Sequence, residues 1–283
     1  MNKINFTKMV ASGNDFVVIE NVSQTSEKRY KSLAKNICDR KYGVGADGLL
    51  LLGKSKIAHV NMRIFNSDGS EAEMCGNGAR CVAFYKSHNS RLATRCLNRI
   101  TIETRAGIIE SRIKGCDVKI KLTDPGDAKF DIPIKINGRT IKVNFINTGV
   151  PHVVVFVEGL DKIDVFNLGR FLRNHKEFAP RGTNVNFIEF LGRDSLQIRT
   201  YERGVEDETL ACGTGSVASA LIFALKTEAN KEIKVHTKSS EVLKVYFKKD
   251  RNKFSDVWLQ GRASIVFKGI LFPLKGGSIW QYG

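Results

Sequence analysis

No apolar run in this 283-residue sequence is long enough to cross a bilayer. The longest, 49–52, 153–157 and 220–225, fall far short of the roughly 20 residues a spanning helix needs. Near the start, Lys3 and Lys8 are followed by Ala11-Ser12-Gly13-Asn14-Asp15, so the apolar core of a secretory signal is missing too. The expectation is a cytoplasmic protein without a membrane segment. Cysteine is scarce: Cys38, Cys75, Cys81, Cys96, Cys116 and Cys212 are too few for a disulfide-stapled secreted domain and are expected to be reduced. There is no CxxC pair, and His59, His88, His152, His175 and His236 are dispersed without ligand spacing, so no metal site is expected. Low-complexity segments, Pro/Ser linkers and heptads are also missing. Any domain boundary must therefore fall at an ordinary turn.

Negative charge is the scarcer sign, with 29 acidic residues against 45 basic ones and a net charge of +16. Such an imbalance would suit an anionic partner. The basic residues are nevertheless scattered, and in their densest stretch, 226–253, they alternate with apolar residues as on the wet face of a strand. A solvated basic surface is expected, and no nucleic-acid partner. With 42% apolar and 26% charged residues the chain is an ordinary globular one. At roughly 150 residues per domain its length suggests two domains or one large one.

Period-two alternation predicts strands at 60–65, 100–104, 118–122, 141–145, 185–190, 196–201, 242–247 and 264–267. Helical spacing appears at 26–42 and 164–174. Two further segments, 76–87 and 213–226, are apolar on nearly all sides, as buried helices are. Asp68-Gly69 and Asn137-Gly138 read as hairpin turns. Each buried helix is introduced by one signature: Cys75-Gly76-Asn77-Gly78-Ala79, then Cys212-Gly213-Thr214-Gly215-Ser216. Acidic residues precede both, Asp68, Glu71 and Glu73 in the first case and Glu206, Asp207 and Glu208 in the second. The repeat recurs after about half the chain, which predicts two similar halves, each of strands around one central helix.

A helix start favours a thiolate through the dipole and unpaired N–H groups. Cys-Gly-x-Gly also lets successive N–H groups converge into an anion-binding nest, for which a carboxylate is a natural occupant. If both helix starts faced one cleft, a carbon held there would have a sulfur on each side. A thiolate could then remove a proton from one face while a thiol delivers one to the other, inverting the centre. Nest N–H groups would stabilise the carbanion through its carboxylate, so neither pyridoxal phosphate nor a metal is required. Cys38, Cys81, Cys96 and Cys116 have no such setting and read as structural.

At these residues the sequence resembles the diaminopimelate epimerase family. The resemblance spans nearly the whole length, in ordered blocks: Gly13-Asn14-Asp15-Phe16, Gly43-Val44-Gly45-Ala46-Asp47-Gly48, Phe65-Asn66-Ser67-Asp68-Gly69-Ser70 leading to Met74 and the Cys75 motif with Arg80-Cys81, Gly149-Val150-Pro151-His152, Gly182-Thr183-Asn184-Val185-Asn186-Phe187, and Tyr201-Glu202-Arg203-Gly204 leading to Ala211 and the Cys212 motif. It implies cofactor-free interconversion of LL- and meso-diaminopimelate, in the synthesis of lysine and peptidoglycan precursors. Cys75 and Cys212 would be the two acid/bases. Gly76 and Asn77, with Gly213 and Thr214, would hold the reacting carboxylate, and Asn14, Asn66, Asn184, Glu202 and Arg203 the distal amino acid end. Positions matching His152 and Glu202 are thought in the family to influence the cysteine pKa values.

The implied fold is α+β, with two pseudo-symmetric domains, each a curved, mostly antiparallel sheet or barrel around a central buried helix. The domains are expected at 1–119 plus 268–283 and at 120–267, with the site between them and a homodimer as the assembly. Two departures bear on distal contacts: Val150 stands where many members have Asn, and Gly48 where some have Gln. The alternatives are a related two-cysteine racemase of the proline or hydroxyproline type, and a thiol redox protein. Asn184 and Glu202-Arg203 favour the substrate with a second amino acid end.

Overall fold

The computed structural model describes residues 3–20, 27–89 and 98–272, other than 127, 137, 228 and 230. In chain order its main elements are β1 (Ile4–Ala11), β2 (Asn14–Glu20), α1 (Glu27–Cys38), β3 (Gly48–Gly53), β4 (Val60–Asn66), β5 (Glu71–Ala72), α2 (Gly76–Asn89), β6 (Arg99–Thr104), β7 (Gly107–Lys114) and β8 (Asp117–Lys121). These are followed by β9 (Lys129–Ile136), β10 (Arg139–Asn147), β11 (Pro151–Phe156), α3 (Val165–Arg173), β12 (Asn184–Gly192), β13 (Ser195–Glu202), β14 (Asp207–Thr209), α4 (Gly213–Thr227), β15 (Glu232–His236), β16 (Val242–Asp250), β17 (Lys253–Arg262) and β18 (Ser264–Leu271). The chain divides into two compact units, one running up to Ile120 and resuming at Arg262, the other Lys121–Gly261. The sequence reading places that return at 268. It comes earlier because β18 pairs with β1 along its whole length, from Ser264 opposite Val10 to Leu271 opposite Ile4.

The two units are built alike, element for element. In the first, β1 lies antiparallel to β18 and β2, β3 is parallel to β2, β4 antiparallel to β3, β6 parallel to β4, and β7 and β8 follow antiparallel. In the second, β10 lies antiparallel to β9 and β11, β12 is parallel to β11, β13 antiparallel to β12, β15 parallel to β13, and β16 and β17 follow antiparallel. The short strands β5 and β14 add to β4 and β13. The duplication seen in one short motif thus extends to the whole topology, an α+β fold of mostly antiparallel sheets.

Each sheet curves around its central helix. α2 touches β1, β2 and β18 as well as β6 and β7, and α4 touches β10 to β13, β15 and β16. Residues 215–224 of α4 are all buried, as a helix apolar on every side requires. Full burial of one Leu, Ile, Val or Phe contributes about 1.5–3 kcal/mol, whereas an exposed helical pair such as Glu27–Lys31 adds only a few tenths. Burial therefore decides where these helices sit.

The outer faces are covered by α1 and α3. α1 buries Tyr30, Leu33, Ala34 and Ile37 against Val17, Ile19, Leu49 and Leu51. α3 buries Val165 and Leu172 against Val153, Val155, Val185 and Phe187. Strands caught between an inner and an outer helix have no wet face, which is why 49–52 and 153–157 read as unbroken apolar runs. α3 has the predicted limits, with Asp164 accepting from the Asn167 N–H at 3.0 Å as its N-cap and Asn174 as its C-cap. α1 stops short of the predicted Tyr42: Asp39 Oδ1 accepts from the N–H groups of Lys41 and Tyr42 at 2.7 Å, and this local turn competes with the helix. Asp68-Gly69 is a turn, its glycine at φ 82°. Asn137 lies outside the described residues, as does Cys96. In the basic stretch Ile233, Val235, Leu243 and Val245 are buried, while Lys234, Lys244 and Lys248 face out and pair with Asp194, Glu232 and Asp256. Among the described residues no helix is long and apolar enough to cross a membrane.

Candidate active site

In the first unit Cys75 stands immediately before α2, its carbonyl accepting from the Ala79 N–H at 2.8 Å. The helix start is tied to the β1–β2 turn. Asn77, 7% exposed, donates from Nδ2 to Asn14 Oδ1 at 3.5 Å and accepts at Oδ1 from Arg80 Nη2 at 2.8 Å. Arg80 is fully buried and also reaches Ser12 Oγ at 2.6 Å. Asn14 in turn donates to Asp47 Oδ2 at 2.6 Å. Asn66, at the end of β4, donates to Ser70 Oγ at 2.9 Å, so its amide also serves the turn that leads to β5. Sheet register sets Asn66 beside Gly48 and Gly48 beside Phe16. A Cβ at position 48 would lie 3.0 Å from the Phe65 carbonyl oxygen, so this strand is packed for glycine.

In the second unit Cys212 occupies the same place before α4. Its Sγ accepts from the Gly215 N–H at 3.4 Å and lies 3.5 Å from Thr214 Oγ1. This is the expected helix-start donor, and it favours charge on sulfur. Thr214 is itself held through its carbonyl by Thr148 Oγ1 at 3.4 Å. Glu202, at the end of β13, forms a hydrogen bond with Cys212; burial raises its carboxyl above the ordinary glutamate range despite that bond. Asn184 is 5% exposed; its Oδ1 accepts from the Arg203 N–H at 2.8 Å and its Nδ2 donates to the Pro151 carbonyl at 3.3 Å. The Arg203 guanidinium donates to the Arg181 carbonyl at 3.1 Å, and among the described residues it makes no ion pair. Val150 contributes an apolar side chain, and its carbonyl accepts from the Thr148 N–H at 3.1 Å.

His152 is fully buried on β11, and burial, followed by the Arg203 charge, pushes it down to about 3. A neutral ring must choose a tautomer. Asn186 Nδ2 lies 3.1 Å from His152 Nδ1 and donates to the Val153 carbonyl at 2.9 Å, while Thr200 Oγ1 donates to Asn186 Oδ1 at 3.1 Å. With its oxygen taken by a donor, Asn186 presents N–H to the imidazole, so His152 Nδ1 accepts and Nε2 carries the proton. Of the other thiols, Cys38, the last residue of α1 and part of the core, is pushed up to about 12 by burial, Cys81 is buried and Cys116 is exposed.

Within each unit, then, some of the predicted residues meet at a helix start: Asn14 bonds Asn77, two residues after Cys75, in one, and Glu202 and Thr214 reach Cys212 in the other, while Asn184 and Arg203 bond to each other and Asn66 to Ser70. The supporting residues Asp47, Arg80, Ser12, Asn186 and Thr200 escape the sequence reading. Arg80 could have been noticed, since a charge in a helix apolar on every side demands partners. So could Asn186, two residues from Asn184 on the same strand face. The acidic residues before each motif prove to be braces: Glu71 binds Arg63 and Arg105, and Glu208 binds Arg199 and Lys238, at 2.7–2.8 Å.

A duplicated unit in which a buried central helix starts at Cys-Gly-x-Gly defines the class, and comparison with known proteins supplies the family. The family model described as diaminopimelate epimerase matches residues 6–130 and 144–266. The chain is 41% identical over 278 residues to diaminopimelate epimerase of Aquifex aeolicus (strain VF5), covering 94% of this chain and 97% of that one. It is 42% identical over 283 residues to diaminopimelate epimerase of Archaeoglobus fulgidus, covering 95% and 96%. The protein belongs to the diaminopimelate epimerase family. Its fold is shared by a Bacillus anthracis phenazine biosynthesis protein of the PhzF family (TM-score 0.75, 19% identity, covering 96% of this chain and 100% of that one). It is shared also by a probable proline racemase from Agrobacterium radiobacter K84 (TM-score 0.69, 15% identity, 96% and 94%).

Proposed function

We propose that the protein is an isomerase that epimerises LL-2,6-diaminopimelate to the meso form without a cofactor, in lysine and peptidoglycan-precursor synthesis. The observation that carries this reading is the cysteine at the start of each central helix, in a chain so similar over its length to diaminopimelate epimerases. One cysteine, as thiolate, takes the α-proton, breaking Cα–H and forming S–H. The other, as thiol, gives its proton to the opposite face, so after one turnover the two sulfurs have exchanged protonation states. The backbone N–H groups of Gly76 and Asn77, and of Gly213 and Thr214, would hold the reacting carboxylate and its developing charge. Arg203 offers a bidentate fork to the distal carboxylate, Glu202 pairs with an ammonium, and Asn14, Asn66 and Asn184 supply further donors and acceptors. His152 and Glu202 would tune the thiols. The partner is thus a small molecule, and the protein acts as a cytoplasmic homodimer; sedimentation should give twice 31.6 kDa.

The test is incubation of reduced protein with LL-diaminopimelate in D₂O without added pyridoxal phosphate. Deuterium at the α-carbon with appearance of the meso form is the expected result. No uptake by folded protein with reduced thiols would reject this substrate, and L-proline and trans-4-hydroxy-L-proline in the same assay would test the racemase alternative.

A further inference from the structure

The Asn14–Asn77 pair in the first unit is held between two charges of opposite sign. An asparagine amide is nearly symmetric in shape, so two of them in contact can both flip and still bond to each other. Here the chain of bonds ends on groups that cannot flip in character. Arg80, which can only donate, meets Asn77 Oδ1 at 2.8 Å; Asp47, which can only accept, meets Asn14 Nδ2 at 2.6 Å. Asn77 must therefore turn Nδ2 to Asn14, and Asn14 must turn Oδ1 back, as observed at 3.5 Å.

Both ends are themselves braced. Asp47 Oδ1 accepts from Arg40 Nη2 at 2.8 Å, Oδ2 from the Asp15 N–H at 3.1 Å, and the Asp47 N–H donates to Asp15 Oδ1 at 3.0 Å. Asp15 is gripped by Arg40 and by Lys8, which also reaches the Gly45 carbonyl. At the other end, Arg80 is anchored on Ser12 Oγ, in the turn that leads into Asn14.

We propose that Asp47 and Arg80 are positioning residues that lock the donor and acceptor ends of Asn14 and Asn77, and so fix the hydrogen-bond pattern the first unit offers to substrate. The inference rests on the reading that these two asparagines contact substrate, and it adds residues to which that reading gives no role. A flipped Asn14 would offer N–H where a substrate ammonium needs an oxygen.

A double-mutant cycle tests it. Asp47→Asn keeps the size but lets position 47 donate; it should raise KM for LL-diaminopimelate about tenfold, the worth of one charge-assisted hydrogen bond, with kcat changed less than about twofold. In an Asn14→Ala background the same substitution should do nothing further, because its only route to substrate is gone. An equal loss in both backgrounds, or an unchanged KM in the single variant, overturns the proposal. Should Asp47→Asn fail to fold by circular dichroism, Arg40→Gln carries the same cycle. Arg40 is 61% exposed and braces Asp47 from solvent, and an effect of about threefold confined to the Asn14 background is expected. The Asn14 side-chain amide signal in NMR, assigned by its loss in Asn14→Ala, reports the lock without turnover. It should be protected from exchange in the native protein and released in either variant; equal exchange in both overturns the lock. A protected amide in a protein that leaves diaminopimelate unchanged would reject the functional reading and keep the lock.

Discussion

In the proposed mechanism Cys75 and Cys212 each need to ionise and reprotonate, which a hydroxyl in the same place does at far greater cost. Cys75→Ser and Cys212→Ser should each lower kcat about a thousandfold or more, in line with the loss of a general acid or base, while urea midpoints stay near native; full turnover in either would end the two-base mechanism. His152 gives a prediction on stability. Its ring stays neutral in the folded state down to about pH 3, whereas in the unfolded chain it titrates near 6.5. Between those values the unfolded state binds more protons, so stability falls as pH drops through this window, by at most about 1.4 kcal/mol per unit from this group. Urea unfolding from pH 6.5 to 4 should show that slope, and His152→Gln should flatten it; parallel curves would deny the depression. At this scale the repeated motif placed Cys75 and Cys212 each just before a central helix, as observed, whereas Asn77, Glu202 and Arg203 were named only through the family resemblance. Asn186 and Asp47 were not legible, since a polar residue near a strand end looks solvent-facing until the partners that bury or bind it, here Thr200 and Asn14, arrive from distant sequence.

The two central helices share a motif but not the tightness of its packing. A Cβ on Gly215 would stand 2.4 Å from Asn186 Oδ1 and 3.3 Å from Cys212 Sγ, and that oxygen belongs to a fully buried side chain held by Thr200. At Gly78, the matching position in α2, the nearest atom is Leu50 Cδ2 at 3.1 Å, a methyl that can rotate aside. Gly215→Ala should therefore cost about 1–3 kcal/mol, as overpacking does, and should shift the pH profile of Cys212 alkylation. Gly78→Ala should cost less than half as much, and equal losses would contradict the packing argument. Although β7 and β15 alternate in the same way and were passed over, strands with one wet face such as β4, β6, β8 and β16 were legible from alternation. β2, β3 and β11 were not, because helices on both sides remove the polar face that creates the signal, and β5 and β14 are too short to carry a pattern. The end of α1 depended on one side-chain turn at Asp39 outbidding the next helical bond.

For the whole molecule, the duplication was the most legible property, since two copies of a five-residue signature announced two copies of a complete topology. The place where the second unit hands back to the first was misjudged by six residues, 262 against 268, because alternation at 264–267 marks a strand without naming its partner. That partnership is also where the two units cease to be equivalent. In the second unit the strand beside β10 is β9, its neighbour in the chain, with Ile136 facing Arg139. In the first unit the strand beside β1 is β18, and Ile4 meets Leu271. One closure spans a few residues and the other nearly the full chain, so loop entropy and order of synthesis both favour the short closure, that of the second unit. Pulsed hydrogen exchange during refolding should protect β9–β10 before β1–β18, and simultaneous protection would count against this order. On a ribosome the residues made first must wait for residues made almost last: Cys75 leaves the exit tunnel early, yet its unit is finished only after the unit holding Cys212 has been written in full.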